Sequence, residues 1–408
     1  MKLVIIGNSA AALNAIEKIR KYDKDLKIVV ISKEKRRAYS RVLLPYYLRG
    51  KFKARENLYI RDEIYYEELN IEYIEDEVVK LDDSNKKLLL RNGGNISFDK
   101  LLITTGSSPF KPPIKGLDND GIYHMWTFED AVKLEPYFKE GNKVLILGSG
   151  FVSLQAAWAA LVKGLDVYVY ELMPRIMPRV LDDKSAGILM EQMIKLGVDL
   201  KLKISTQEIK KLENGKLKVC AKGEDDVIVD FIIVGTGVKP NIKFIRNTSI
   251  EIDRGILVNE YMETSVKDIY AAGDVTQGPT VFGEKYIIHA LWPTAVEQGK
   301  IAGTNIIGNR EAYGGSLNMN VTQMFDITVA STGNFNEEET SQVWMYDLGE
   351  KGFFKVVLED KVPVGASLVG KSELVEFLGI LRPIIRKKVE INCQRDNLFE
   401  YLRTKCQV

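Results

Sequence analysis

The sequence predicts an α/β fold: two Rossmann-like dinucleotide-binding domains followed by a C-terminal α+β domain. Three observations carry that expectation. The runs "KLVIIGNSAAALNAIEKIR" from Lys2 and "KVLILGSGFVSLQAAWAALVKG" from Lys143 share one plan of short apolar strand, glycine turn and small-residue helix. Two further buried-strand patterns, "DKLLITTGSSP" (Asp99 to Pro109) and "DFIIVGTGVKPN" (Asp230 to Asn241), each run into a Thr-Gly turn that would close one such domain. From about residue 311 the pattern changes to antiparallel strands with turns at glycine.

Taken in chain order, the first turn is Gly7-Asn8-Ser9-Ala10-Ala11-Ala12, with Ala11, Ala12, Ala15, Ile16 and Ile19 on the buried side of the helix. The second is Gly148-Ser149-Gly150, with Ser153 where a third glycine would stand, and the next strand, "DVYVYE", ends in Glu171. A turn of this kind holds a dinucleotide: its first glycine makes the tight bend, small residues let the backbone approach a pyrophosphate, and the helix N-terminus offers N–H groups to the negative charge. Glu171 lies 23 residues beyond Gly148, where a carboxylate accepts hydrogen bonds from a ribose. One incomplete copy is compatible with a turn that binds nothing. Two copies about 140 residues apart weigh against that reading. The residues 112–121, "PPIKGLDNDG", form a candidate hinge. In "DIYAAGDVTQG" a strand ends at Gly273 and Asp274, and that carboxylate either binds the ribityl-phosphate end of a flavin nucleotide or caps a helix.

In the last part, "SLNMNVTQMFDITVASTG" and "KGFFKVVLEDKVPVGASLVG" read as strands, and "SELVEFLGILRPIIRKKVE" as a helix broken by Pro383. The basic tail with Arg386, Lys387 and Lys388 reads as an amphipathic surface segment that packs on its own domain, rather than as a docking element for an acidic electron carrier.

Composition limits the partners. With 57 Lys+Arg against 56 Asp+Glu, nothing points to nucleic acid or an anionic membrane. Two apolar runs are interrupted by glycine or polar residues, at Gly7 and between Gly148 and Gln155, and so read as neither signal peptide nor membrane span. Cys220, Cys393 and Cys406 are widely spaced and there are two histidines, which argues against metal sites and a disulfide framework and for a cytoplasmic setting.

These motifs together resemble the flavoproteins with two dinucleotide-binding domains, the pyridine nucleotide-disulfide oxidoreductase superfamily. The resemblance covers roughly residues 1 to 335. "YSRVLLPYYL", "MPRIMPRVLD" and "LWPTAVEQGKIAG" are most similar to the NADH-rubredoxin reductase and nitrite reductase large-subunit branch. It implies FAD on residues 1–110 and 240–310, NAD(P)H on 111–239, and an interface domain over 311–408. It implies that Gly7, Ser9, Ala10 and Ala11 cradle the FAD pyrophosphate, and that Ser32 and Glu34 meet the adenosine ribose. Val79 would lie at the adenine edge, Arg41 at the flavin nucleotide, Thr105 and Gly106 at the middle of the cofactor, and Gly273 with Asp274 at the ribityl-phosphate. The helix opening at Pro293 and Thr294 would point its positive end at the flavin N1/C2 edge. NADH would lie on Gly148, Gly150, Phe151, Val152, Glu171 and Gly237. Glu171 favours NADH over NADPH because it repels a 2′-phosphate, whereas Arg175 and Arg179 lie near enough in sequence to attract one.

Three positions depart from the relatives. Val42 stands where thiol-dependent members carry a reactive cysteine, Tyr46 where rubredoxin-reductase relatives carry lysine, and Gln155 where they carry glutamate near the nicotinamide. Valine cannot form a thiolate or a mixed disulfide. The resemblance therefore implies an NADH-dependent FAD oxidoreductase that passes electrons directly to a protein acceptor, either a rubredoxin- or ferredoxin-like carrier or partner subunits of a complex. A cysteine-independent NADH oxidase making hydrogen peroxide and an NADH-sensing flavoprotein remain open, as does a homodimer.

Overall fold

The computed structural model describes residues 1–52, 54–335 and 341–405, so Cys406 lies outside the described residues. The chain divides into two compact units. The first comprises Met1–Arg41, Ala54–Ser108 and Val238–Leu317. The second comprises the segment that opens at Val42, Pro109–Gly237 and the chain from Asn318 onward.

The first unit is built on a five-stranded, all-parallel sheet. Lys2–Ile6 lies at its centre, between Lys27–Ser32 and Lys100–Ile103, and the edges are Ile71–Glu75 and Ile269–Ala271. Strands covered on both faces read as unbroken apolar runs, and Leu3, Val4 and Ile5 are fully buried. The helix Ala10–Tyr22 follows the first strand, and against it lies the helix Trp292–Ile306. Their approach is close because Gly299 and Gly303 face the backbone of Ala11 and Ala15. A Cβ at Gly299 would fall 2.3 Å from the Ala11 carbonyl oxygen, and one at Gly303 2.7 Å from that of Ala15. The four-residue spacing in "GKIAG" thus fixes how the two helices meet.

The second unit has its own five-stranded parallel sheet. Lys143–Leu147 is central, flanked by Asp166–Glu171 and Phe231–Val234, with Asp199–Leu202 and Ile122–Tyr123 outermost. Residues 112–121 are anchored rather than free: Ile209 N–H donates to Lys115 O at 2.8 Å, and a Cβ on Gly116 would meet the Ile209 oxygen at 1.9 Å. The C-terminal part is an antiparallel five-stranded sheet in the order Met319–Met324, Ile327–Gly333, Val362–Gly370, Gly352–Glu359, Gln342–Asp347.

The helix Val375–Arg386 runs through Pro383 without a break. Pro383 lies in the last turn, where few helical bonds remain to be lost. The tail helix Leu398–Lys405 buries Leu398 and Leu402, and Phe399 stacks with Tyr346, Phe354 and Phe377. The tail therefore packs on its own sheet. No helix among the described residues is long and apolar enough to cross a membrane.

Candidate dinucleotide sites

The helix starts at the proposed binding turns differ from the capped starts of two other helices, Phe128–Leu134 and Asp183–Lys195. An N-terminus leaves N–H groups unpaired, and proteins ordinarily satisfy them with a capping side chain and favour a carboxylate in the first turn. The helices Phe128–Leu134 and Asp183–Lys195 follow that rule: Thr127 and Asp182 accept N–H bonds as caps, and each first turn is acidic. The helices Ala10–Tyr22, Phe151–Val162 and Trp292–Ile306 do not. Each begins without a side-chain cap and without an acidic residue in its first turn. These three are the helices that the sequence reading assigns to phosphate or flavin, and their unpaired N–H groups are ones an anion can satisfy; the short helix Leu44–Leu48 also starts without a cap or an acidic residue.

At the first turn, Gly7 adopts φ +115° and a Cβ there would lie 2.2 Å from the Thr104 carbonyl oxygen, so only glycine fits. Ser9 is the extended residue before the helix, and Ala10 and Ala11 are buried in its first turn. Asn8 turns away from the turn: Tyr66 Oη donates to its Oδ1 at 2.7 Å, and its amide donates to Tyr73 Oη. Ser32 ends the second strand, and its hydroxyl bonds with the backbone of Glu34. The Glu34 carboxylate is already engaged, accepting from Tyr39 Oη at 2.5 Å and from the Arg41 guanidinium. Val79 lies on the separate strand Val78–Asp82 with its side chain exposed.

Asp274 is half-buried in the same unit. Burial pushes its carboxyl up, while the Ser107 hydroxyl, donating at 2.9 Å, and the Arg41 charge work in the opposite direction. The neighbouring Gly273 N–H donates to Gln298 Oε1 at 2.8 Å. Thr105 and Gly106 are fastened to Asn241: Thr105 Oγ1 donates to its carbonyl at 3.0 Å, and the Asn241 N–H donates to Gly106 O at 2.9 Å. Pro293 and buried Thr294 lie in the first turn of Trp292–Ile306. The structure thus gathers the first-turn residues, Arg41, the Thr105 loop and Asp274 from three separated stretches of chain into one unit. A long, anionic, partly ring-bearing cofactor fits this set: a glycine-only cradle, uncapped helix starts and a half-buried carboxylate.

The second turn is more local. Gly148 has φ +95°, and a Cβ there would lie 2.7 Å from Gly235 O. Ser153, at the third-glycine position, donates to Gly235 O at 2.9 Å, and Gly235 has no side chain because Ser153 Oγ occupies that space. Gly150 precedes the helix in extended conformation, Phe151 and Val152 open it, and Val152 is exposed. Gly237 has φ +104° and its carbonyl accepts from Phe110 N–H at 2.9 Å. Glu171 is buried, accepting from Ser149 Oγ at 2.5 Å and from Met173 N–H at 2.8 Å. Arg175 is tied down, donating to Asp183 Oδ1 at 2.7 Å and to Pro178 O at 3.1 Å. Gln155 donates to Thr322 Oγ1 and Gln323 O, so this side chain joins the nucleotide-binding part of its unit to the C-terminal sheet.

Several contributors were not read from sequence. Gln298, Ser107 and Asn241 act across 25 or more residues, and no local pattern marks them. His289 is half-buried, with Nδ1 2.6 Å from Ser316 Oγ, and its partial burial pushes its pKa down. Ser149 stands inside the glycine motif and was legible there.

Two parallel sheets, each with a glycine turn feeding an uncapped helix, are an architecture suited to two dinucleotides. Residues 1–299 match the pyridine nucleotide-disulphide oxidoreductase family, and the chain belongs to it. An NADH oxidase of Methanocaldococcus jannaschii is 34% identical over 95% of this chain and 92% of its own length. The NAD(P)H nitrite reductase of Bacillus subtilis is 30% identical over 91% of this chain but 46% of its own length, so the chain spans about half of that relative. The NADH-rubredoxin oxidoreductase of Clostridium acetobutylicum is 28% identical over 90% of each chain. Among solved structures, a NAD-dependent persulfide reductase from A. fulgidus aligns over the whole of this chain and 83% of its own, with a TM-score of 0.89 and 27% identity. The chain is an NAD(P)H-dependent oxidoreductase with FAD and NADH as its cofactors.

Proposed function

We propose that this protein takes electrons from NADH and delivers them through FAD to a protein acceptor, either a small iron carrier or partner subunits of a larger oxidoreductase. The observation that carries the reading is the absence of an activated thiol among the described residues. Val42 occupies the position of the reactive cysteine and is half exposed. Cys220 lies in the strand Leu217–Ala221, where its hydrogen bond to the Asp226 carboxylate raises its pKa, and burial raises that of Cys393. Neither is held as a thiolate, the form a relay needs.

In this reading FAD accepts hydride from NADH and releases electrons to a one-electron partner. The first unit holds it: Gly7, Ser9, Ala10 and Ala11 at the pyrophosphate, Ser32, Glu34 and Val79 toward the adenosine, Arg41, Thr105 and Gly106 along the middle, Gly273 and Asp274 at the ribityl-phosphate. Backbone N–H groups at Pro293 and Thr294 place positive potential toward the flavin. Gly148, Gly150, Phe151, Val152 and Gly237 receive NADH, with Glu171 on its ribose. Since Arg175 is engaged by Asp183 and Pro178, only exposed Arg179 is left to attract a 2′-phosphate, and NADH is preferred. The names of relatives that transfer electrons to rubredoxin or form part of nitrite reductase support a protein acceptor.

The relative named NADH oxidase supports a second reading, in which oxygen is the acceptor. Stopped-flow reduction by NADH, followed by mixing with air or with oxidised rubredoxin, separates the two. The proposal expects bleached flavin that reoxidises slowly in air and rapidly with the carrier. Fast reoxidation by oxygen with stoichiometric peroxide contradicts it in favour of the oxidase.

A further inference from the structure

Ser149 stands between the two glycines of the second turn, where its backbone N–H belongs to the pyrophosphate cradle. Its side chain does something else. The hydroxyl is buried and donates at 2.5 Å to Oε2 of Glu171, 22 residues away, while Met173 N–H holds Oε1 at 2.8 Å. Its carbonyl accepts from Met177 N–H at 3.2 Å. Met177 is buried with φ +47°, a conformation that a side chain of this kind adopts only where surrounding contacts fix it. One residue thus ties together the phosphate turn, the carboxylate at the strand end and the loop that follows it.

The geometry points to Ser149 as the positioning residue for dinucleotide selectivity: it holds the Glu171 carboxylate in the one orientation that accepts from a free ribose diol and repels a 2′-phosphate. The inference rests on the assignment of Glu171 to the ribose. A hydroxyl has one proton, and here it goes to Glu171, so the carboxylate is fixed by two donors while its remaining lone pairs stay available. A glutamate has three rotatable bonds. Without the serine proton, one anchor of the carboxylate is lost and it can turn away from the ribose.

The test measures dissociation constants of NAD⁺ and NADP⁺ by calorimetry on the FAD-loaded protein, for wild type, Ser149→Ala, Glu171→Ala and the double variant. Loss of a hydrogen bond to a charged group predicts about a tenfold fall in the NAD⁺-over-NADP⁺ preference for Ser149→Ala. The loss in NADH turnover should fall on KM rather than kcat. In the Glu171→Ala background, Ser149→Ala should change the preference no further, since a positioning residue has nothing left to position. If Ser149→Ala is unstable, Ser149→Gly, which keeps the turn, replaces it. A large loss in Glu171→Ala with none in either serine variant overturns the inference while sparing the ribose assignment. An additive effect in the double variant likewise overturns it. No loss in Glu171→Ala overturns the assignment itself.

Discussion

The two glycine turns look alike in sequence and differ in how their surroundings are built. The turn at Gly7 is completed from afar: Thr104 closes on Gly7, Ser107 reaches Asp274, Gln298 holds Gly273, and Gly299 lies on Ala11. The turn at Gly148 is completed within the stretch from Lys143 to Gly237, by Glu171, Ser153 and Gly235. A ligand that bridges distant segments is bound only by the assembled fold and stabilises it in return. A ligand held by one contiguous stretch can leave while that stretch stays folded. With FAD proposed at the first turn and NADH at the second, the difference matches a resident cofactor and an exchanged one.

The largest effect should come from separating the segments at the first turn. In Gly299→Ala the new methyl group would lie 2.3 Å from a backbone oxygen that cannot move aside cheaply. Overpacking of this kind costs about 3 kcal/mol, so thermal denaturation should shift down by roughly 5–10 °C, with FAD content falling in parallel. A variant with unchanged melting and full FAD would show that the helix contact does not matter to the first site.

Asp274→Asn should separate binding from stability. In the cofactor-free chain, burial raises the Asp274 carboxyl above its unfolded value, so the folded state holds that proton more tightly. Stability linked to this group therefore grows as pH falls through the raised pKa and is smallest above it. Asparagine removes the half-buried charge while Ser107 can still donate to its oxygen. The apoprotein should melt higher than wild type at pH 8, with the gap closing as pH falls. FAD release should meanwhile quicken by about tenfold, through loss of a charged acceptor. If the variant keeps FAD as wild type does, Asp274 is a structural residue.

At the second turn, Glu171→Ala should lower the preference for NADH over NADPH by about tenfold in kcat/KM and leave FAD content and melting unchanged. Loss of FAD in this variant would erase the distinction between the two regions.

What was legible in sequence follows the same division. Both strand-turn-helix units, Glu171 and the antiparallel C-terminal part could be read, because each is a local pattern of apolar period, glycine and a fixed spacing. The partners of Asp274 and Gly273 could not: Ser107 meets Asp274 only after the chain returns from the second unit, and Gln298 reaches Gly273 across 25 residues with no motif to mark it. Glu34 was read as a ribose contact. The structure adds that Tyr39 and Arg41 hold its carboxylate, a pairing that no spacing rule predicts. Pro383 was read as a break, and the helix continues through it because it lies in the last turn, where few backbone bonds remain to be lost. Gln155 was read as a departure near the nicotinamide, but its bonds to Thr322 and Gln323 could not be, because that strand lies more than 160 residues away.

The most direct measurement of the central claim, that electrons leave the flavin without a thiol, is steady-state NADH turnover with ferricyanide and with reduced-carrier detection in the triple variant Cys220→Ser, Cys393→Ser, Cys406→Ser. Cys220 and Cys393 are not among the residues of either proposed dinucleotide site. The account predicts turnover with both acceptors within about twofold of wild type, at equal FAD content, because a change that touches no catalytic contact falls within the usual scatter of surface substitutions. Loss of most turnover with either acceptor, with FAD content and melting temperature unchanged, would contradict direct transfer and make a cysteine part of the electron path.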